Sequence, residues 1–105
     1  MKNITIYELN KKIDSGEKIF LIDVREKKEV SIAKIDCAIH IPMNDIPNYI
    51  NKLNKQEELI IMCKVGLRSD IVCKYLIENN FKNVRNLVGG IKAWAQYIDK
   101  TMCIK

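Results

Sequence analysis

Cys63-Lys64-Val65-Gly66-Leu67-Arg68-Ser69 is the segment of this chain whose residue types and spacing can do chemistry. It follows Leu59-Ile60-Ile61-Met62, an apolar run that predicts a buried strand. It precedes Ile71 to Asn79, which predicts a helix. A thiol at a strand end, on a short glycine-containing loop that opens a helix, is placed to ionise. Main-chain N–H groups of such a loop can converge on one point, and a helix N-terminus adds roughly half a positive charge. Both lower a thiol pKa, and the thiolate is the reactive form. Lys64 and Arg68 flank the thiol, where they can attract an anion, or they are simply solvated side chains. Ser69 has two readings, a cap for the helix or a hydrogen-bond partner for sulfur. Asp70 suits the first turn of the helix and reads as structural.

Such a loop needs a framework, and the composition allows one. A length of 105 residues predicts one domain, residues 1–105 with a core over about 4–98. With 48% hydrophobic and 30% charged residues, the chain has the balance of a soluble globular protein. No apolar run approaches the roughly 18 residues of a membrane span. Met1-Lys2-Asn3-Ile4-Thr5 leads into charged positions instead of an apolar signal core, so a cytoplasmic location is expected. The net charge of +5 comes from scattered lysines, which predicts a solvated surface with a mild pull on small anions and no nucleic-acid stripe. Cys37, Cys63, Cys73 and Cys103 show neither a CxxC pair nor a zinc-like spacing, so free thiols and no metal site are expected.

The elements alternate along the chain. Thr5 to Glu8 has the form of a capping box, with Ile4 and Leu9 at the flanking hydrophobic positions, and Ser15-Gly16 ends that helix. Lys18 to Val24 predicts a strand covered on both faces, and Lys27 to Ile32 a short helix. Ala38 to Ile41 predicts a strand stopped by Pro42. Ile46, Tyr49, Ile50 and Leu53 predict a helix over Asn44 to Leu53. Asn83 to Leu87 predicts a strand, and Ile91, Trp94, Ala95 and Ile98 a last helix after Gly89-Gly90. This alternation implies an α/β fold with a mostly parallel sheet, and ligands in such folds sit beyond the carboxyl ends of the strands.

Three motifs, taken in order, resemble the rhodanese-like sulfurtransferase family. Ile22-Asp23-Val24-Arg25-Glu26 is similar to its (L/I)DVRE segment, Cys63 to Ser69 to its CxxGxRS loop, and Leu87-Val88-Gly89-Gly90-Ile91-Lys92-Ala93-Trp94 to its LxGGxxAW element. The resemblance implies a three-layer sandwich, with about five short strands flanked by helices on both faces. It implies that Cys63 takes a sulfane sulfur from a donor such as thiosulfate and passes it to cyanide, a thiol or a protein cysteine. Residues 64–69 would form the anion-binding loop, with Asp23 and Arg25 organising it through hydrogen bonds and an ion pair, in which Glu26 or Glu29 is a further partner. No cofactor is implied, and the expected assembly is a monomer or weak homo-oligomer. One stretch departs from the family: Ala33-Lys34 stand in place of a Gly-His pair, and Asp36-Cys37 in place of a Pro-Gly turn. The only histidine, His40, falls on a strand and reads as structural. Cys37, Cys73 and Cys103 read as small hydrophobes or free thiols.

Two other functions compete, the first a phosphatase or arsenate reductase. Cysteine phosphatases separate cysteine and arginine by five residues to enclose a phosphate; here four intervene, and Ser69 stands where that arginine would be. A shorter loop is a smaller cradle, better matched to one sulfur atom. A protein-interaction module without catalysis is the second, and the presence of Cys63 with Gly66 argues against it. A persulfide carrier serving a protein partner would use the same loop, with Val65 and Leu67 at its rim.

Overall fold

Five short segments form one parallel sheet in the computed structural model, which describes residues 2–104, with the apolar runs at residues 20–22 and 59–62 in neighbouring strands at its middle. In chain order the elements are β1 (Lys2–Ile4), α1 (Ile6–Asp14), β2 (Phe20–Asp23), α2 (Lys27–Ile32) and β3 (Ile39–His40). A 3-10 turn at Met43–Asp45 leads into α3 (Ile46–Tyr49). Then come β4 (Leu59–Met62), α4 (Leu67–Glu78), β5 (Val84–Leu87) and α5 (Gly90–Tyr97). The strand order is β1-β5-β4-β2-β3 and every pairing is parallel.

All four residues of β4 are buried, as a central parallel strand covered on both faces requires. Its side chains alternate between two cores. Leu59 and Ile61 join Ile22, Ile46, Val72 and Leu76 beneath α3 and α4. Ile60 and Met62 join Leu9, Leu21, Ile91 and Trp94 beneath α1 and α5. The result is a three-layer α/β/α sandwich. Because β4 is the middle strand, the residue that follows it emerges at the centre of the carboxyl edge of the sheet. That residue is Cys63.

Local signals explain the helix starts. Thr5 Oγ1 accepts the Glu8 N–H at 3.1 Å, and Glu8 Oε1 accepts the Thr5 N–H at 3.0 Å. Ile4 and Leu9 on either side of this box are fully buried in one cluster. The departing stretch also resolves simply. The Ala38 N–H donates to Ile35 O at 2.9 Å, closing a turn over Asp36-Cys37. Neither central residue has positive φ, so this turn does not need glycine.

The structure adds one strand and corrects three expectations. Lys2–Ile4 is an edge strand on β5, three residues long and too short to show a period of two. The helix expected over Asn44–Leu53 holds α-helical form only over Ile46–Tyr49 and continues as turns, with Lys52 and Leu53 N–H groups both on Tyr49 O. Asparagines at 48 and 51 are weak helix formers, and burial of Ile46 and Ile50 needs no further turn. The strand expected over Ala38–Ile41 is confined to Ile39–His40. Finally, α4 begins at Leu67, so Arg68, Ser69 and Asp70 belong to the helix and not to the loop before it.

Candidate active site

The loop between β4 and α4 is only Cys63 to Gly66, and it turns inward around the sulfur. The Gly66 N–H points at Cys63 Sγ at 3.1 Å and the Ser69 N–H at 3.4 Å. Gly66 is the N-cap of α4 with φ +104°, a conformation that only glycine adopts without strain. Ser69 is therefore the third helical residue and not the cap, which removes the capping role read from the sequence. Its hydroxyl lies 3.3 Å from Cys63 Sγ. Burial pushes the Cys63 thiol up, but the Ser69 hydroxyl and the N–H groups of Ser69, Gly66 and Val65 outweigh it. The thiol ends below the ordinary cysteine value.

The opening turn of α5 holds the outside of the same loop. Ile91 N–H donates to Cys63 O and Lys92 N–H to Lys64 O, both at 3.0 Å. With its carbonyls engaged outward, the loop turns N–H groups toward the sulfur. This contact explains the paired glycines. A Cβ on Gly90 would run into the carbonyl oxygens of Cys63 and Lys64 and lie 2.6 Å from Lys64 C. The helix can therefore approach only as glycine, and the Gly89-Gly90 element belongs to the architecture of the cysteine loop.

Asn86 is a site residue that the sequence reading missed. It lies on β5 beside the loop and is 8% exposed. Its Nδ2 donates to Gly66 O at 3.1 Å, which leaves Oδ1 to accept the Ser69 hydroxyl at 2.5 Å. One amide thus fixes both the glycine and the serine that face the sulfur. A signal was available: an amide side chain in a strand covered on both faces must find polar partners.

Asp23 and Arg25 pair with each other rather than with the loop. Arg25 Nη2 donates to Asp23 Oδ2 at 2.8 Å and Nε to Oδ1 at 3.0 Å, and both side chains are almost wholly buried. The rest of the guanidinium donates to Glu29 O and Ala33 O, main-chain acceptors in α2 and at its end. Arg25 thereby fixes α2, and α2 carries Glu29. Glu29 then takes both ends of the Arg68 guanidinium, at 2.6 and 2.9 Å. Glu26 does not join the Asp23–Arg25 pair; its N–H caps onto Glu29 Oε1 at 3.1 Å. The Arg68 hydrogen bonds hold the Glu29 carboxyl down to about 2. The link from the Asp23 segment to the loop is thus this relay through Glu29.

The remaining candidate side chains fall outside the cradle. Val65 is 44% and Leu67 73% exposed, on the rim. Lys64 is half-buried and touches α5 through its carbonyl. Asp70 pairs with Lys74 one turn along α4. The Arg25 carbonyl accepts from His40 Nε2 at 2.7 Å, which fixes the protonated nitrogen and anchors the ring to the main chain. Cys73 is wholly buried, and burial pushes its thiol up to about 12. Cys37 and Cys103 are exposed free thiols. Among the described residues no helix is long and apolar enough to cross a membrane.

A parallel α/β/α sandwich that presents a hydrogen-bonded thiol at the carboxyl end of its central strand defines a protein built around a cysteine loop. The chain belongs to the rhodanese-like domain family, whose model matches residues 5–97. It is 46% identical over 94 residues to YtwF of Bacillus subtilis, a candidate sulfurtransferase, covering 90% of each chain. It is 31% identical over 94 residues to the thiosulfate sulfurtransferase GlpE of Coxiella burnetii, covering 90% of this chain and 84% of that one. A rhodanese-like domain protein from Staphylococcus aureus superposes with a TM-score of 0.86 at 37% identity, covering 100% of this chain and 99% of that one. Sulfur transfer is the activity of the family at this level.

Proposed function

We propose that the protein transfers a sulfane sulfur from a donor such as thiosulfate to a thiophilic acceptor through a persulfide on Cys63. The observation that carries this reading is the convergence of the Gly66 and Ser69 N–H groups and the Ser69 hydroxyl on one buried sulfur. In the first step the Cys63 thiolate attacks the outer sulfur of the donor. A Cys63 S–S bond forms, the donor S–S bond breaks, and its electron pair leaves with sulfite. In the second step cyanide or a thiolate attacks the outer sulfur of the persulfide. Thiocyanate or a new persulfide departs, and the Cys63 thiolate returns. Both the thiolate and the persulfide are anions, so the same N–H groups serve each state. Arg25, Glu29 and Asn86 position the cradle and do not touch the reacting atoms.

The exposed Val65 and Leu67 favour a second form of the same chemistry, in which the acceptor is a cysteine of a partner protein seated on an apolar rim. Initial rates with thiosulfate and cyanide test the first form. Two half-reactions on one cysteine predict parallel double-reciprocal lines. Cys63→Ala should remove the turnover while melting like the parent. Intersecting lines, or turnover that survives the substitution, would reject the persulfide route.

A further inference from the structure

Arg68 is the arginine of the loop motif, and its guanidinium is already taken. Both terminal nitrogens donate to the two oxygens of Glu29. This fork is not a loose surface pair. Glu29 Oε1 also accepts the Glu26 N–H, and α2 is tied down by Arg25 through Glu29 O and Ala33 O. The bidentate geometry matches a planar fork to a planar carboxylate, an arrangement an incoming anion must break to gain the same contacts. An arriving donor therefore meets a neutral pair, with a carboxylate where the charge of the motif suggested a free cation. Lys64 remains, but an ammonium on a flexible stem is a strongly hydrated point charge, not a fixed receptor.

The rim supplies the other half of the argument. Val65 is 44%, Leu67 73% and Ile71 60% exposed. Leu67 and Ile71 are four residues apart on α4 and share one face of its opening turns. The entrance thus exposes apolar side chains, and the charge of Arg68 is compensated by Glu29.

We propose that Glu29 sets donor selectivity, making this a site for singly charged sulfane donors with an apolar body in preference to the thiosulfate dianion. This rests on the Cys63 persulfide reading and names the donor class for it. Glu29 is a positioning residue: it acts by holding Arg68 away from the donor.

Thiosulfate and benzenethiosulfonate isolate the point, because they deliver the same sulfane sulfur and differ by one negative charge and a phenyl ring. With either, the Cys63 thiolate gains the outer sulfur as a persulfide, and the electron pair of the broken S–S bond leaves with sulfite or benzenesulfinate. The measurement is kcat/KM for both donors with cyanide as acceptor. The native protein should favour benzenethiosulfonate. Glu29→Gln keeps an acceptor for the Glu26 N–H but loosens the fork. It should raise thiosulfate relative to benzenethiosulfonate about tenfold, the scale of one charge-assisted contact made available, and mainly through KM. Glu29→Gln with Arg68→Gln should return the ratio to the native value. A merely structural Glu29 would lower both donors together and leave the ratio unmoved. Should Glu29→Gln fail to fold, Arg68→Gln alone exposes the carboxylate and should push the ratio further against thiosulfate. A native preference for thiosulfate, or a ratio indifferent to these changes while both donors still load Cys63, overturns the selectivity and leaves the persulfide standing. No persulfide from either donor overturns both.

Discussion

The Ser69 hydroxyl has one proton and two acceptors, and this sets how much it helps the thiolate. Asn86 holds that proton on Oδ1 while Cys63 is a thiol, so the thiol proton points to Ser69 Oγ. When Cys63 ionises, the hydroxyl turns to sulfur and Asn86 Oδ1 loses its donor. A hydrogen bond to a charged group contributes about 1.5–3 kcal/mol, against about 0.5–1.5 kcal/mol for the neutral one given up. The net is about 1 kcal/mol in favour of the thiolate. Ser69→Ala should therefore raise the Cys63 pKa, with the Gly66 N–H and the main-chain N–H at position 69 left to hold the sulfur. The assay is the alkylation rate with iodoacetamide against pH, in a Cys37→Ser, Cys103→Ser background that removes the two exposed thiols. Cys73 is buried with its pKa at about 12 and stays silent. Each rate should rise with pH and level off above the midpoint, with the variant's midpoint higher. An unmoved midpoint would mean the hydroxyl never leaves Asn86, and a lower one would reject the reasoning outright.

Other expectations concern the scaffold. Gly90→Ala drives a Cβ into two loop carbonyls and should cost about 3 kcal/mol or more. At about 4–8 °C per kcal/mol that lowers Tm by more than about 10 °C, whereas a melt within two or three degrees would deny the close approach of α5. Gly66→Ala meets no atom nearer than 3.7 Å and suffers only from its φ of +104°, so it should cost about 1–2 kcal/mol. A larger loss than for Gly90→Ala would invert the argument. Glu29 has its carboxyl held down to about 2 by Arg68, so its contribution is complete above the ordinary carboxylate value of 4.5 and fades as pH falls through 2. Denaturant titrations should find Glu29→Gln less stable by about 1 kcal/mol at neutral pH, allowing for solvent screening of a partly exposed pair. That gap should narrow below pH 4.5, and a constant gap would remove the ion pair from the explanation.

Much of this architecture was legible because its signals are local. The capping box of α1, the unbroken apolar run of β4 and the glycine before α4 each announce their structure within a few residues. What was not legible depends on contacts between distant segments. β1 exists only because Lys2 to Ile4 can pair with Arg85 to Leu87, and three residues carry no periodicity. Asn86 matters because β5 lies beside β4, and Glu29 matters because α2 faces the start of α4, 39 residues further on. The motif suggested that Arg68 offers its charge to an anion. The fold commits that charge to Glu29. Even the Gly89-Gly90 pair, plain in the sequence, acquires its reason only when α5 is seen against the Cys63 and Lys64 carbonyls.

The central claim is that Cys63, and no other cysteine, carries the transferred sulfur. Intact mass spectrometry after brief incubation with benzenethiosulfonate or thiosulfate tests it most directly. The account predicts a gain of one sulfur atom, located on the peptide containing Cys63, lost on adding cyanide, and absent from Cys63→Ala. A sulfur that persists in Cys63→Ala, or that sits on Cys37 or Cys103, would contradict it.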